Sequence, residues 1–285
     1  MKGSRTQHLK ARGAATAVLI LLLFVSLASV APAAAQKTLD YPNAAATVAS
    51  GINDSGTIVG NYYNSDGSEH SFVSDGQSFT NIDVPKAVWT EAAGINQGGD
   101  VVGYYGNVAD SLMHGFLRTA DGKFSTIDRL GRFNTMPLGI NSSRTIVGCM
   151  HNPGTMHGWV WQNGAFVSLS PAYAMYNAIN DAGTIAGWYY AAPASIRSFV
   201  LSGTGKTDVA FPGSADTEAY GINDFGAVVG WYAGAGTSHG FLLENGQFTT
   251  INVAGANLTH ALGINTAGTI VGYFKDASGY HGFVL

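Results

Sequence analysis

The feature that most limits the folds open to this chain is a repeat of about forty residues. GINDFGAVVGWYAGAGTSHGFLL begins at Gly221, and near-copies begin at Gly51, Gly94, Gly139, Ala178 and Gly263. A unit this short cannot enclose a core of its own, so its copies must be stabilised by packing on one another.

Each unit reads as four strands. Asn223-Asp224-Phe225-Gly226 is a turn, with Asn accepting a local backbone bond and Gly closing the turn; Gly56, Gly183 and Gly268 fill the same closing position. AVVGWY is β-branched and aromatic and predicts a strand, and SHGFLL after a variable loop predicts the next. Asp75-Gly76, Asp121-Gly122, Asn163-Gly164 and Asn245-Gly246 then supply a two-residue hairpin signal of the type I′ kind. A fourth strand follows, as in FTNIDV from Phe79 or FTTINV from Phe248. Antiparallel meanders of this length, arranged radially, are the blades of a propeller.

The ends of the chain extend the argument. The last unit stops at Leu285 after three strands, and TLDYP, Thr38 to Pro42, precedes the first GIN. Asp40 lies eleven residues before Gly51, as Asp83 does before Gly94, Asp128 before Gly139 and Asn252 before Gly263. The sequence therefore predicts an all-β, six-bladed β-propeller of four-stranded antiparallel blades, its ring closed by Thr38-Pro42 pairing with the last blade. An open solenoid would carry polar capping units, and the sequence has none.

Residues 1 to 35 stand apart. Lys2, Arg5, Lys10 and Arg12 precede an uninterrupted run of apolar and small residues from Ala14 to Val30, and Ala33-Ala34-Ala35 supplies a small-residue cleavage site. This predicts a secretory signal over 1–35 and a propeller over 36–285; an uncleaved membrane anchor is the competing reading. Nothing after Gln36 is long and apolar enough to form a membrane-spanning helix. Without the signal, ten basic residues face eighteen acidic ones, which argues against nucleic-acid binding. Cys149 is the only cysteine, so no intramolecular disulfide forms, and its place inside a strand predicts a packed, unreactive thiol.

At GIN, IVG and HGF the chain resembles the HAF-type extracellular repeats, over essentially all of Thr38 to Leu285. It departs from them in using HGF or HSF, in Ala178 for the first glycine and in Arg197 for one His. The resemblance implies a secreted repeat protein and supplies no reaction.

Repeated and unrepeated residues carry different messages. His70, His114, His157, His239 and His281 head the third strand of five units; ligands of one metal must converge, so a recurrent local bond, to the Asn of GIN or to a loop carbonyl, is expected instead. Gly60, Gly103, Gly148, Gly187, Gly230 and Gly272 lie mid-strand, and the aromatic of the adjacent strand, Phe72 in the first unit, is expected to lie over each. Three residues before each GIN stand Val48, Glu91, Met136, Met175, Glu218 and His260. Glu91, Glu218 and His260 are thus candidates for a cation or acid/base site at the central funnel, the plainer alternative being solvated residues pointing apart. Aromatic pairs open the loops between second and third strands, and Tyr63, Tyr105, Tyr190 and Tyr232 are candidates for gripping a sugar or a protein partner. NSDGSEH places Asp66 and Glu69 around Gly67, a weak likeness to a calcium loop, though a turn suffices. Calcium is the one cofactor the sequence raises. Arg144 replaces a turn glycine, predicting a strained or rebuilt turn.

These readings favour a secreted or periplasmic binding module that recognises carbohydrate or an extracellular protein through its long-loop face. A lyase or hydrolase with its acid/base site at the funnel, and a structural surface protein without catalysis, are the alternatives.

Overall fold

The structure is a computed structural model that describes residues 36–285, apart from 130, 132, 153 and 192–194 and the side chains at 169, 171 and 172. The apolar segment read as a secretory signal lies outside the described residues. Every described element is a strand.

The chain builds antiparallel meanders in succession. The first comprises β1 (Lys37–Leu39), set apart, then β2 (Ala46–Ile52), β3 (Ile58–Tyr63), β4 (Glu69–Ser74) and β5 (Phe79–Asn81). Next come β6 (Trp89–Ile95), β7 (Val101–Gly106), β8 (Met113–Arg118) and β9 (Phe124–Ile127), followed by β10 (Asn134–Ile140), β11 (Ile146–Asn152), β12 (Thr155–Gln162) and β13 (Ala165–Ala172). Then come β14 (Ala174–Ile179), β15 (Ile185–Ala191), β16 (Ser195–Ser202) and β17 (Gly205–Val209). The chain ends with β18 (Thr217–Ile222), β19 (Val228–Ala233), β20 (Ser238–Glu244) and β21 (Gln247–Ile251), and with β22 (Leu258–Ile264), β23 (Ile270–Lys275) and β24 (Tyr280–Val284).

Four of these meanders are separate four-stranded sheets, β6 to β9, β10 to β13, β14 to β17 and β18 to β21. The other eight strands run β22-β23-β24-β2-β3-β4-β5, with β1 on β24. The β24-to-β2 link is a single parallel pair, Ala46 with Tyr280. The architecture is a β-propeller of four-stranded antiparallel blades. Each innermost strand touches the next, and β22 returns to β2.

β1 does the closing work over a shorter span than Thr38–Pro42. Lys37, Thr38 and Leu39 face Val284, Phe283 and Gly282. Asp40 leaves the ladder to bond His281 at 2.9 Å, and Pro42, without an N–H, sits in the following turn. Leu39 is buried among Ala49, Ile58, Tyr62, Phe72 and Val271.

A second closure lies at the GIN turns. Asn53 Nδ2 donates to the carbonyl of Asn96, Asn96 to Asn141, Asn141 to Asn180, Asn180 to Asn223, Asn223 to Asn265 and Asn265 back to Asn53, at 3.1–3.2 Å. Meanwhile the Oδ1 atoms of Asn53, Asn141, Asn180, Asn223 and Asn265 accept the amide four residues on, which holds each turn. One amide side chain thus satisfies its own turn and links it to the next.

The mid-strand glycines answer to two neighbours. Every inner strand carries a β-bulge, as between Ala49 and Gly51, which drives the carbonyl of the preceding residue at the glycine opposite. A Cβ on Gly60 would collide with Val48 O, and the same holds at Gly103, Gly148, Gly187, Gly230 and Gly272 with their own bulge carbonyls. The aromatic ring also lies there: Phe72 Cζ would be 2.7 Å from a Cβ at Gly60, and Trp159 Cζ2 2.7 Å from one at Gly148.

The hairpins divide by residue type. Asn163-Gly164 and Asn245-Gly246 have positive φ at both positions, as a type I′ turn requires. At Asp75-Gly76 and Asp121-Gly122 only the glycine does. Asp75 Oδ1 instead accepts the amides of Gln77 and Ser78 at 2.9 and 2.7 Å, so the carboxylate builds a different, locally bonded turn.

Candidate functional site

A cavity of about 670 Å³ runs down the axis, from Ala46, Tyr63 and Tyr280 on the long-loop side to the isoleucines of the GIN-type turns. Ile52, Ile95, Ile140, Ile179, Ile222 and Ile264 border this cavity and also a small polar one beside the asparagine ring, forming an apolar girdle between the two. The bulges decide what the wall is made of. In each inner strand the residue skipped by the register, one before the GIN glycine, lines the cavity: Ser50, Ala93, Leu138, Asn177, Tyr220 and Leu262. Sequence reasoning chose the position three residues before the glycine and missed this one. The signal was its variety, from Ser to Tyr, inside an otherwise repetitive strand.

Glu91, Glu218 and His260 are not brought to one point. Glu91 lines the cavity, accepts the Tyr104 hydroxyl at Oε2 and lies beside Glu69. Glu218 is buried; its Oε2 accepts the Tyr220 hydroxyl at 2.9 Å, and burial raises its carboxyl above the usual range. His260 stacks on Trp231 with ring centroids 4.7 Å apart, and its two nitrogens bond Ser238 Oγ at 2.6 Å and Tyr273 OH at 2.7 Å. Burial pushes His260 down to about 4. Both its nitrogens being occupied, it has none left for a ligand. Among the described residues no group of three or more His, Cys, Asp or Glu could hold a metal ion.

Asp66 and Glu69 part company. Asp66 Oδ1 accepts the Ser68 amide at 2.9 Å in an exposed turn. Glu69 turns towards Glu91 on the neighbouring meander, and its Oε1 is buried without a donor. Burial and Glu91 push the Glu69 carboxyl up to about 8. The pair is one the sequence could have hinted at, since each Glu stands where the other meanders carry mostly uncharged residues. Their separation by β5 and a loop hid the contact.

The four tyrosines also divide. Tyr63 lines the cavity, where burial, Glu91 and Glu69 raise its hydroxyl far above the ordinary tyrosine value. Tyr190 is exposed and meets Trp188 edge-on. Tyr105 packs into the core between meanders, and Tyr232 stacks on Phe211 at 3.5 Å with its hydroxyl bonded to Thr250. The reason is an offset of one residue: counted from the strand glycine, Tyr105 and Tyr232 match Tyr62, which is stacked on Tyr41, and not Tyr63. The cavity positions are held instead by Tyr104 and Tyr273.

The recurrent histidines serve the scaffold through partners other than those expected. His70 bonds Asp83 at 2.8 Å, His114 Asp128 at 2.7 Å, His239 Asn252 at 2.7 Å and His281 Asp40 at 2.9 Å. These are the four residues that mark the register between units, at the end of each fourth strand. Only His157 takes a carbonyl, Ser170 O at 3.1 Å. Where Arg197 replaces His, Ala210 stands in place of the acid, so the pair is lost together. Cys149 is fully buried beside Met156 and Trp188, and burial raises its thiol. Arg144 keeps the left-handed backbone at φ 57, and its Nε donates to Asp100 Oδ2 at 2.6 Å on the preceding meander.

No family model and no curated protein matches the chain. Solved structures do resemble it. The SapL1 lectin in complex with alpha methyl fucoside aligns with a TM-score of 0.56 at 13% identity, over 84% of this chain and 92% of that one. A fucose-specific lectin from Aleuria aurantia aligns with a TM-score of 0.51 at 14% identity, over 79% and 85%. The β-propeller domain of the trilobed protease from Pyrococcus furiosus gives 0.50 at 9%, over 85% and 93%. At such identities the likeness is one of fold, a β-propeller of four-stranded antiparallel blades.

Proposed function

We propose that this chain is a secreted or periplasmic carbohydrate-binding propeller that takes its ligand in the axial cavity, from the long-loop side. The observation that carries the reading is the wall itself, which sets tyrosine rings in one cavity with a buried polar atom lacking a partner, Asn177 Oδ1. Tyr63, Tyr104, Tyr220 and Tyr273 supply faces and edges for sugar C–H surfaces. Asn177 is 5% exposed, donates its Nδ2 to Ala219 O at 2.7 Å and leaves Oδ1 without a donor. A buried acceptor without a donor costs about 1–3 kcal/mol, which a ligand hydroxyl would recover. That two fold relatives are lectins, one bound to a fucoside, supports the same class.

The proposal includes six blades. The eight-stranded sheet then counts as two, joined by one parallel pair, with β1 as the fourth strand of the last. Six asparagines in the axial ring, six bulges and six girdle isoleucines favour that count. Kinship with the HAF-type repeats and removal of residues 1–35 belong to the same proposal.

The test is a panel of mono- and oligosaccharides, fucosides included, followed by calorimetry and melting temperature. Ligand binding to the folded state alone raises stability by mass action. Tyr63→Ala and Tyr220→Ala should abolish the shift, whereas Tyr232→Ala should lower stability and leave affinity intact. A panel in which no sugar binds below millimolar concentration refutes the reading.

A further inference from the structure

We infer that the cavity selects a cationic sugar, one bearing a free ammonium group, and that Glu91 backed by Glu69 is its ion-pair partner. The inference rests on the carbohydrate reading above and adds the chemistry of the ligand.

The charge on the wall is one-sided. Glu91 is the one charged side chain among the described residues that line the cavity; no Lys, Arg or His does. It stands opposite Tyr104 in the β6–β7 ladder and accepts that hydroxyl. Glu69, on β4 opposite Tyr63, comes from the neighbouring meander to meet it. The titratable groups that meet this pair are the hydroxyls of Tyr63, beside Glu69, and Tyr104, on Glu91; Tyr273 and Cys149 lie behind them, as neighbours of Tyr63 and Tyr104. Burial first, and then the contact with Glu91, raise the Glu69 carboxyl, so Glu69 holds its proton near neutral pH.

An acidic pair alone would be no site. The second observation is Asn177, a residue of the same cavity wall, whose Oδ1 is buried without a donor. Both features want hydrogen donors, and the pair wants a positive one. A ligand carrying N–H₃⁺ on a polyhydroxylated ring meets both demands, its ammonium at Glu91 and a hydroxyl at Asn177, with tyrosine faces against the ring. An N-acetyl or plain hydroxyl group at the same place would leave the carboxylate uncompensated.

The experiment compares β-linked glucosamine, N-acetylglucosamine and glucose tetramers by calorimetry at about pH 6, where the sugar amine is protonated. The glucosamine tetramer should bind at least about tenfold more tightly than the other two. Because the raised Glu69 holds its proton at this pH, the neutral Glu69→Gln should leave most of this preference, while the double variant E69Q/E91Q should reduce it to within about twofold. The ratio between ligands is the readout, since a merely structural defect would weaken all three alike. Should the double variant fail to fold, the contrast among tetramers on the unaltered protein still decides. Equal binding of the three, or a preference that survives in the double variant, overturns the ammonium inference and leaves the carbohydrate reading standing. If this and the wider saccharide panel both show no binding, the carbohydrate reading fails first.

Discussion

Truncating Leu39 asks whether three residues hold the ring shut. Leu39 is 3% exposed in a cluster with Ala49, Ile58, Phe72 and Val271, contributed by both meanders that β1 joins. Leu-to-Ala changes at such sites cost about 2–5 kcal/mol, through lost transfer energy and the cavity left behind. With about 3 kcal/mol as the central figure, a chain of this size should melt roughly 6–12 °C lower. The matched control is Ile251, which holds the equivalent place on β21 but is tied to its neighbour by a hairpin; it is 7% exposed. Urea unfolding followed by tryptophan fluorescence and circular dichroism should give Leu39→Ala and Ile251→Ala similar losses. A loss below about 0.5 kcal/mol for Leu39→Ala, the level of a surface change, beside a full loss for Ile251→Ala would refute the closure argument.

Other expectations follow from single contacts. Arg144→Gly relieves a left-handed side chain but strips a buried carboxylate of its partner, so a loss of about 1–3 kcal/mol is expected, while D100T/R144G, which restores the Thr and Gly of sister turns, should recover it; denaturant midpoints decide. Burial tends to raise Asp100, yet Arg144, the Ala120 amide and Asn96 hold it below the usual range, so this contribution is present above the unfolded carboxyl value and fades on acidification. Glu69 behaves oppositely: its folded value near 8 lies above the unfolded one, so the native state loses stability as pH rises between the two. Glu69→Gln should therefore gain on the unaltered protein between about pH 5 and pH 9, read as melting temperature across that series. Gly148→Ala forces a methyl onto Met136 O and Trp159, and should cost at least about 1–3 kcal/mol by the same denaturation assay.

The blades were legible because their signals are local. Turn asparagines, strand glycines and the spacing of Asp40, Asp83, Asp128 and Asn252 all repeat, and repetition can be read along one dimension. The partners of these residues were less so. His70 bonding Asp83 joins two positions that had each been noticed for a different reason, and the reach of Asn53 to Asn96 needs two adjacent units in space. The cavity wall was misread by a small count. A bulge inserts one residue, so the side chain that lines the cavity is Tyr220 and not Glu218, and counting from the strand glycine sets Tyr105 level with Tyr62 and not with Tyr63. Glu69 and Glu91 meet across a boundary between units, where pattern within a unit says nothing.

The circle of amides among Asn53, Asn96, Asn141, Asn180, Asn223 and Asn265 has a thermodynamic corollary. Each side chain gives to its successor in the same rotational sense, so no member is first or last. A linear array can melt inwards from a free terminus, one module at a time. A loop of mutual donors offers no such starting place: losing one module orphans a donor on one side and an acceptor on the other. Hydrogen exchange at the six turns should accordingly proceed as a single event, and variants in any one of them should share the fate of the whole.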